Sequence, residues 1–132
     1  DGKVILKGIM DPQDAQLALK IGADAIIVSN HGGRQLDETS STIAALPKIL
    51  DTVGDKCEVW MDGGLRTGQD ILKAIAMGAK GTLIGRAFTF GLGANGEAGV
   101  LGTLRILQKE LDMTMALCGR KKLIEVDQSI LL

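Results

Sequence analysis

Four short apolar runs, Val4-Ile5-Leu6, Ala25-Ile26-Ile27-Val28, Val59-Trp60-Met61 and Thr82-Leu83-Ile84, each give way to glycine and charged residues and then to helical periodicity. Runs that are continuous rather than alternating belong to strands buried on both faces, and strands separated by helices form parallel sheets. No hairpin signal joins any two of them. The chain therefore reads as strand-helix four times over, an α/β class with a parallel sheet.

The helices carry their own punctuation. Asp11 caps the first, with Pro12 in its first turn, and it runs to about Lys20 and closes at Gly22. Thr39 or Ser40 opens the second, which places Ile43, Leu46, Ile49, Leu50 and Val53 on one face, bends at Pro47 and stops at Gly54. Thr67 caps the third, which continues through Ile71, Leu72, Ile75 and Ala76 to Gly78. Beyond a glycine-spaced segment, a long amphipathic helix is expected from about Gly99 to Cys118, and Ile124 to Leu132 is expected to form a short final helix or an irregular cover. A shift of 56 positions superposes Gly8 on Gly64, Gln13 on Gln69, Asp14 on Asp70, Ala18 on Ala74, Gly22 on Gly78 and Ala23 on Ala79. Such an echo is expected of a barrel built by duplicating smaller units. A complete (β/α)8 TIM barrel takes about 250 residues, so four units describe a half-barrel plus a C-terminal helix.

In these folds the chemistry sits at the carboxyl ends of the strands. The second strand ends in Ser29-Asn30-His31-Gly32-Gly33-Arg34-Gln35-Leu36-Asp37, which holds the one histidine of the chain. An imidazole can take a proton near neutral pH, and a guanidinium can hold a planar carboxylate through two parallel hydrogen bonds. His31 and Arg34 thus suggest a base and a substrate clamp; the alternative is a loop in which they cap helices or pair with surface acids. Lys7 ends the first strand, either as a cation that stabilises negative charge on a cofactor or as a surface lysine paired with Asp11. Gly63, Gly64, Arg66, Gly85 and Arg86 end the third and fourth strands, where barrels bind phosphate through backbone amides and a helix N-terminus. Asp62 beside them can accept hydrogen bonds from a sugar or ribityl hydroxyl.

Composition narrows the remaining options. One domain over 1–132 is expected, and fifteen basic residues against sixteen acidic ones, net charge −1, leave no basic field for nucleic acid. No apolar run approaches the roughly 18 residues needed to cross a bilayer and no leader pattern opens the chain, so the cytoplasm is the default compartment, with peripheral membrane association left open. Cys57 and Cys118 lie in no metal-like spacing and read as reduced packing residues; no metal site is expected.

Lys7-Gly8-Ile9, the nonapeptide from Ser29 to Asp37, Asp62-Gly63-Gly64-Leu65-Arg66 and Gly85-Arg86 together resemble the FMN-dependent α-hydroxy acid dehydrogenase and oxidase family, which includes L-lactate dehydrogenase, glycolate oxidase and mandelate dehydrogenase. The resemblance runs through essentially the whole chain in order and spacing. It implies FMN as cofactor and oxidation of a small L-2-hydroxy acid to the 2-keto acid. By the resemblance His31 is the active-site base, Arg34 binds the substrate carboxylate, and Lys7 lies near the flavin N1 and C2 oxygen, stabilising the anionic reduced ring. Ser29 hydrogen-bonds the flavin, Asp62 the ribityl chain, and Gly63, Gly64, Arg66, Gly85 and Arg86 hold the phosphate end; Gly32 and Leu65 complete the cofactor contacts. In the family the first half of the barrel brings tyrosines to the substrate, and this chain has no tyrosine. The chain is thus expected to be the C-terminal half of such an enzyme, inactive alone, partnered by a missing N-terminal half-barrel and homo-oligomeric. Two other readings stay open here: another FMN- or phosphate-binding barrel, such as a relative of isopentenyl diphosphate isomerase or inosine monophosphate dehydrogenase, and a non-catalytic half-barrel module.

Overall fold

The alternation read from the sequence is the architecture of the computed structural model, which describes residues 2–131. Strands β1 (Ile5–Ile9), β2 (Ala25–Val28), β3 (Glu58–Met61) and β4 (Gly81–Thr82) alternate with helices α1 (Pro12–Lys20), α2 (Thr42–Val53), α3 (Gly68–Ala76) and α4 (Arg86–Leu117). The sheet is parallel throughout, in the order β1-β2-β3-β4. Strands adjacent in sequence are adjacent in space, the topology of consecutive βα units of a (β/α)8 barrel. Asp1 and Leu132, the limits of the expected domain and the end of its tail, lie outside the described residues.

Local signals placed most of these boundaries. The Asp11 carboxylate accepts a hydrogen bond from Gln13 N–H at 2.7 Å, capping α1, whose first residue is Pro12. The period of 56 holds to the residue for α1 and α3, whose first and last residues are both that far apart, and for the first residues of β2 and β4. The matched glycines Gly22 and Gly78 both adopt positive φ, 78° and 111°, past the ends of their helices. Helix α2 begins at Thr42, two to three residues later than expected, because Asn30 Nδ2 donates to Ser40 O at 3.2 Å and ties that segment to the loop after β2. It continues through Pro47.

Three expectations are corrected. The first strand is Ile5–Ile9 and does not end at Lys7: its ladder with β2 shifts register between Lys7 and Ile9 and resumes at Ile9. The fourth strand is Gly81–Thr82, not 82–84: among the described residues its strand neighbour is β3, where two residues pair, and one further bond, from Leu83 N–H to Met61 O at 2.9 Å, closes the ladder before Ile84. The glycine-spaced segment is helical. Helix α4 starts at Arg86, is broken at Asn95 (φ −153°) and Gly96 (φ 53°), and resumes as the expected amphipathic helix. Glycine disfavours helix by about 1 kcal/mol, but here the two arms pack together through Gly91 and Gly99. A Cβ at Gly91 would come within 2.5 Å of Gly99 O. The tail forms two short 3₁₀ turns, Leu123–Glu125 and Gln128–Ile130.

The core lies between the sheet and its helices. Ile26, Val28, Val59 and Met61 from the strands meet Leu46 and Ile49 of α2 and the small residues Ala15, Ala18 and Ala74 of α1 and α3. Every residue of β2 is buried, as its unbroken apolar run requires. Cys57 is buried and Cys118 partly so, both as free thiols, and burial pushes the Cys57 thiol up from its ordinary pKa. Among the described residues no helix is long and apolar enough to cross a membrane.

Candidate functional site

Parallel register brings the carboxyl ends of β1, β2 and β3 side by side, and three polar residues there lock onto one another. Lys7 Nζ donates to Ser29 Oγ at 2.9 Å and pairs with Asp62 Oδ2 at 2.8 Å. Ser29 is 1% exposed and its Oγ also accepts the His31 backbone N–H at 3.2 Å. Lys7 therefore pairs with Asp62, across the strand ends, rather than with Asp11. The second oxygen of that carboxylate, Asp62 Oδ1, is buried with no hydrogen-bond partner among the described residues. Buried acceptors are seldom left unpaired, so a ligand hydroxyl donor suits this atom.

His31 sits in a strained turn. Its φ is 55°, and Gly32 and Gly33 follow at 72° and 70°, so three successive residues take the left-handed conformation. For a non-glycine residue this is uncommon, histidine, asparagine and aspartate being the best tolerated, and such strain clusters at functional sites. Asn30 holds the turn: Oδ1 accepts Gly32 N–H at 3.1 Å while Nδ2 reaches Ser40 O. From the far side Arg86 Nη2 donates to Gly32 O at 3.1 Å. The imidazole is thus carried on a loop fixed at both flanks.

The loop after β3 uses the same backbone device. Gly63 and Gly64 have φ of 85° and 77°. The buried Thr42 hydroxyl donates to Gly63 O at 3.1 Å, and a Cβ at Gly63 would lie 3.0 Å from Asn30 Oδ1, a tight contact that adds to the left-handed φ in favouring glycine between the two loops. Asp70 accepts Arg66 N–H and Thr67 N–H, each at 3.0 Å, and returns its own N–H to Thr67 Oγ1 at 3.2 Å, a complete capping box. The Arg66 backbone amide is therefore spent inside the protein, and its guanidinium is the group left for an anion. The first turn of α3 is further capped across space, Gly68 N–H donating to Glu110 Oε2 of α4 at 2.8 Å. Partial burial raises the Asp70 pKa, but the hydrogen bonds from Arg66 and Thr67 outweigh it and hold the carboxyl below its ordinary value. Its contribution to stability is then present above the unfolded carboxylate pKa and disappears as pH falls through the lower folded value. Thr67→Ala is expected to cost about 1 kcal/mol. Urea unfolding at neutral pH measures the loss, and repeating the titration at progressively more acid pH should show the Asp70 share fading.

Gly85 precedes α4 with no side-chain cap, so the helix N-terminus, with its unpaired amides and positive dipole end, opens beside Arg86 and Thr89. Starting α4 at Arg86 rather than near Gly99 is what places it there.

One open pocket of about 700 Å³ collects these features. It is lined by Lys7, His31, Gly32, Arg34, Asp62, Gly63, Gly64, Leu65, Arg66, Gly85 and Arg86; Ser29, the remaining candidate, lies beneath it, bonded to Lys7. Gln35, Leu83, Ile84 and Thr89 also line the pocket without having been expected. The supports Asn30, Thr42 and Glu110 were missed as well. Asn30 was readable, since asparagine before a glycine pair is a turn-capping signal; Thr42 and Glu110 act on residues 21 and 42 positions away. Among the described residues no three His, Cys, Asp or Glu side chains gather as a metal would require.

Comparison with known proteins agrees with this geometry. The profile of a family described as FMN-dependent dehydrogenase matches residues 1–132. L-lactate dehydrogenase of Caulobacter sp. (strain K31) is 52% identical over 130 residues, covering 98% of this chain and 34% of that protein. L-lactate dehydrogenase of Pseudomonas aeruginosa (strain UCBPP-PA14) is 49% identical over 126 residues, 96% of this chain and 33% of that protein. Among solved structures, mandelate oxidase with benzoyl-formic acid superposes with a TM-score of 0.91 at 44% identity, over 96% of this chain and 38% of that one. A mandelate oxidase mutant with a monooxide FMN adduct matches equally well over 40% of its chain. The chain thus spans about a third of the length of the curated relatives it matches. With a profile match along its whole length and about half its residues shared with these relatives, the chain belongs to the FMN-dependent dehydrogenase family.

Proposed function

We propose that this chain forms the C-terminal four βα units of a flavoenzyme that oxidises an L-2-hydroxy acid of the lactate, glycolate or mandelate class to the 2-keto acid. The observation that carries the reading is the convergence on one pocket of a fixed histidine, an arginine three residues on, a lysine-aspartate pair and two glycine-arginine corners. These residues fit FMN: Asp62 Oδ1 offers a buried free acceptor for a ribityl hydroxyl, and Arg66, Arg86 and the amides around Gly63, Gly64 and Gly85 suit a phosphate. Leu65 and Gly32 border the same space, and Lys7, held by Ser29, supplies positive charge at the opposite end. When bound, FMN accepts the two electrons of the oxidation.

The protein's share is placement and proton handling. Arg34 grips the substrate carboxylate with its planar fork, and His31 takes the substrate proton from a loop that Ser29, Asn30 and Arg86 hold still. A missing N-terminal half-barrel closes the sheet at its free edges, β1 and β4, and completes the substrate and flavin contacts. Self-association of the complete enzyme and a cytoplasmic location belong to the same proposal.

The test is direct. The complete protein should purify yellow with a flavin absorption band that bleaches on adding L-lactate, glycolate or L-mandelate; no bound flavin, or a flavin indifferent to all three, overturns the proposal. In the same protein Arg34→Lys should weaken oxalate binding by about 1.5–3 kcal/mol, roughly ten- to hundredfold, since a point-charge ammonium loses one of two charge-assisted hydrogen bonds. Titration by flavin absorbance measures it, and unchanged affinity would mean that Arg34 points elsewhere.

A further inference from the structure

The ladder between β1 and β2 slips at one residue. Lys7 pairs with Ile27 and Ile9 with Val28, so Gly8 is the extra residue of a bulge. In an unbroken strand residues three apart face opposite sides, yet Leu6 and Ile9 both pack against the core cluster. Bulges re-aim side chains and are over-represented beside active sites. Here the bulge falls immediately after Lys7, whose ammonium reaches Ser29 and Asp62. Gly8 itself has φ 104°, and a Cβ built on it would lie 2.9 Å from His31 Cε1, with Nε2 and Nδ1 the next nearest atoms at 3.7 and 3.8 Å. Apart from its own chain neighbours, the three nearest atoms to the absent side chain thus all belong to the imidazole.

We propose that Gly8 is a positioning residue for the reaction: its missing side chain is the seat of the His31 ring. The seat completes the restraint on His31, since Ser29 accepts its backbone N–H, Asn30 accepts that of Gly32, and neither bond holds the ring. Gly8→Ala forces the ring out of that place without touching Arg34 or the phosphate corner. A misplacement on the scale of 1 Å can cost about 10²-fold in rate.

The inference rests on His31 being the base, and the experiment separates the two. In the complete FMN-loaded enzyme, Gly8→Ala, His31→Ala, their double variant and Gly22→Ala are compared by steady-state turnover of the best 2-hydroxy acid, flavin content and thermal unfolding. Gly22 serves as the control because its φ is 78° and nothing lies within 4 Å of its Cβ position, so it carries the backbone strain without the clash. Gly8→Ala should lower kcat by about 10²-fold with KM changed less than about threefold, and should add less than about twofold to the loss in His31→Ala, because the seat matters only while the ring is there. Gly22→Ala should keep wild-type turnover. A Gly8→Ala enzyme within about twofold of wild type, or one whose full loss multiplies that of His31→Ala, overturns the inference. An unaffected His31→Ala overturns the base assignment instead. If Gly8→Ala does not accumulate as a flavoprotein, the double variant decides: removing the imidazole should restore folded, FMN-bound protein, and a double variant no better than Gly8→Ala alone refutes the seat.

Discussion

His31→Ala in the complete enzyme should slow reduction of the flavin by a 2-hydroxy acid by at least about 10²-fold and leave FMN bound. The asymmetry follows from what the side chain touches. His31 is tied to Ser29 through its backbone N–H, which alanine keeps, whereas Lys7, Asp62 and the glycine-arginine corners make none of their observed bonds to the imidazole. One complication is local, because His31 holds φ 55° and alanine resists that conformation. His31→Asn removes the base while keeping a residue that adopts left-handed backbone readily, so it should reproduce the catalytic loss with less effect on folding. Stopped-flow bleaching of the flavin band measures both variants, and reduction near the wild-type rate in either would remove His31 from the role of base.

The second large effect lies under the site. Leu46 of α2 has no exposed surface and packs at the centre of the core with Ile26, Ile49 and Val59. Truncating a leucine so placed costs about 2–5 kcal/mol, through lost transfer energy and the cavity left behind. Leu46→Ala should therefore lower the midpoint of urea unfolding of the complete protein markedly. It should also loosen FMN, since α2 opens with Thr42, whose hydroxyl pins the Gly63 carbonyl in the loop after β3 that is proposed to hold the phosphate. A fall in stability with unchanged FMN affinity would show that the Thr42 contact does not depend on the packing of its helix.

Much of this was readable residue by residue. The unbroken apolar run of β2, the Asp11-Pro12 start of α1 and the Thr67 cap of α3 are local signals, and the structure places each element where its signal fell. The pocket followed from one topological rule, that parallel strands end together, so candidates scattered from Lys7 to Arg86 could be assembled without coordinates. Family membership was legible in the same residues, because a nonapeptide and three strand ends in fixed order are far more specific than any one of them. What sequence order alone determined, then, was the alternation of elements, their caps and the set of groups gathered at one end of the sheet.

Tertiary contacts decided the rest. Nothing local to Thr82-Leu83-Ile84 announces that pairing stops after two residues, and nothing in a run of glycines announces a helix whose arms meet at Gly91 and Gly99. The partner of Lys7 could not be read either: Asp11 is near in sequence, but Asp62 is near in space. Nor could sequence order show that the place of a side chain on Gly8 lies against the His31 ring, 23 residues further along the chain. Caps and apolar periodicity are properties of neighbouring residues, whereas register, bulges and ion-pair choice depend on the free energy of contacts that exist only once the strands are side by side.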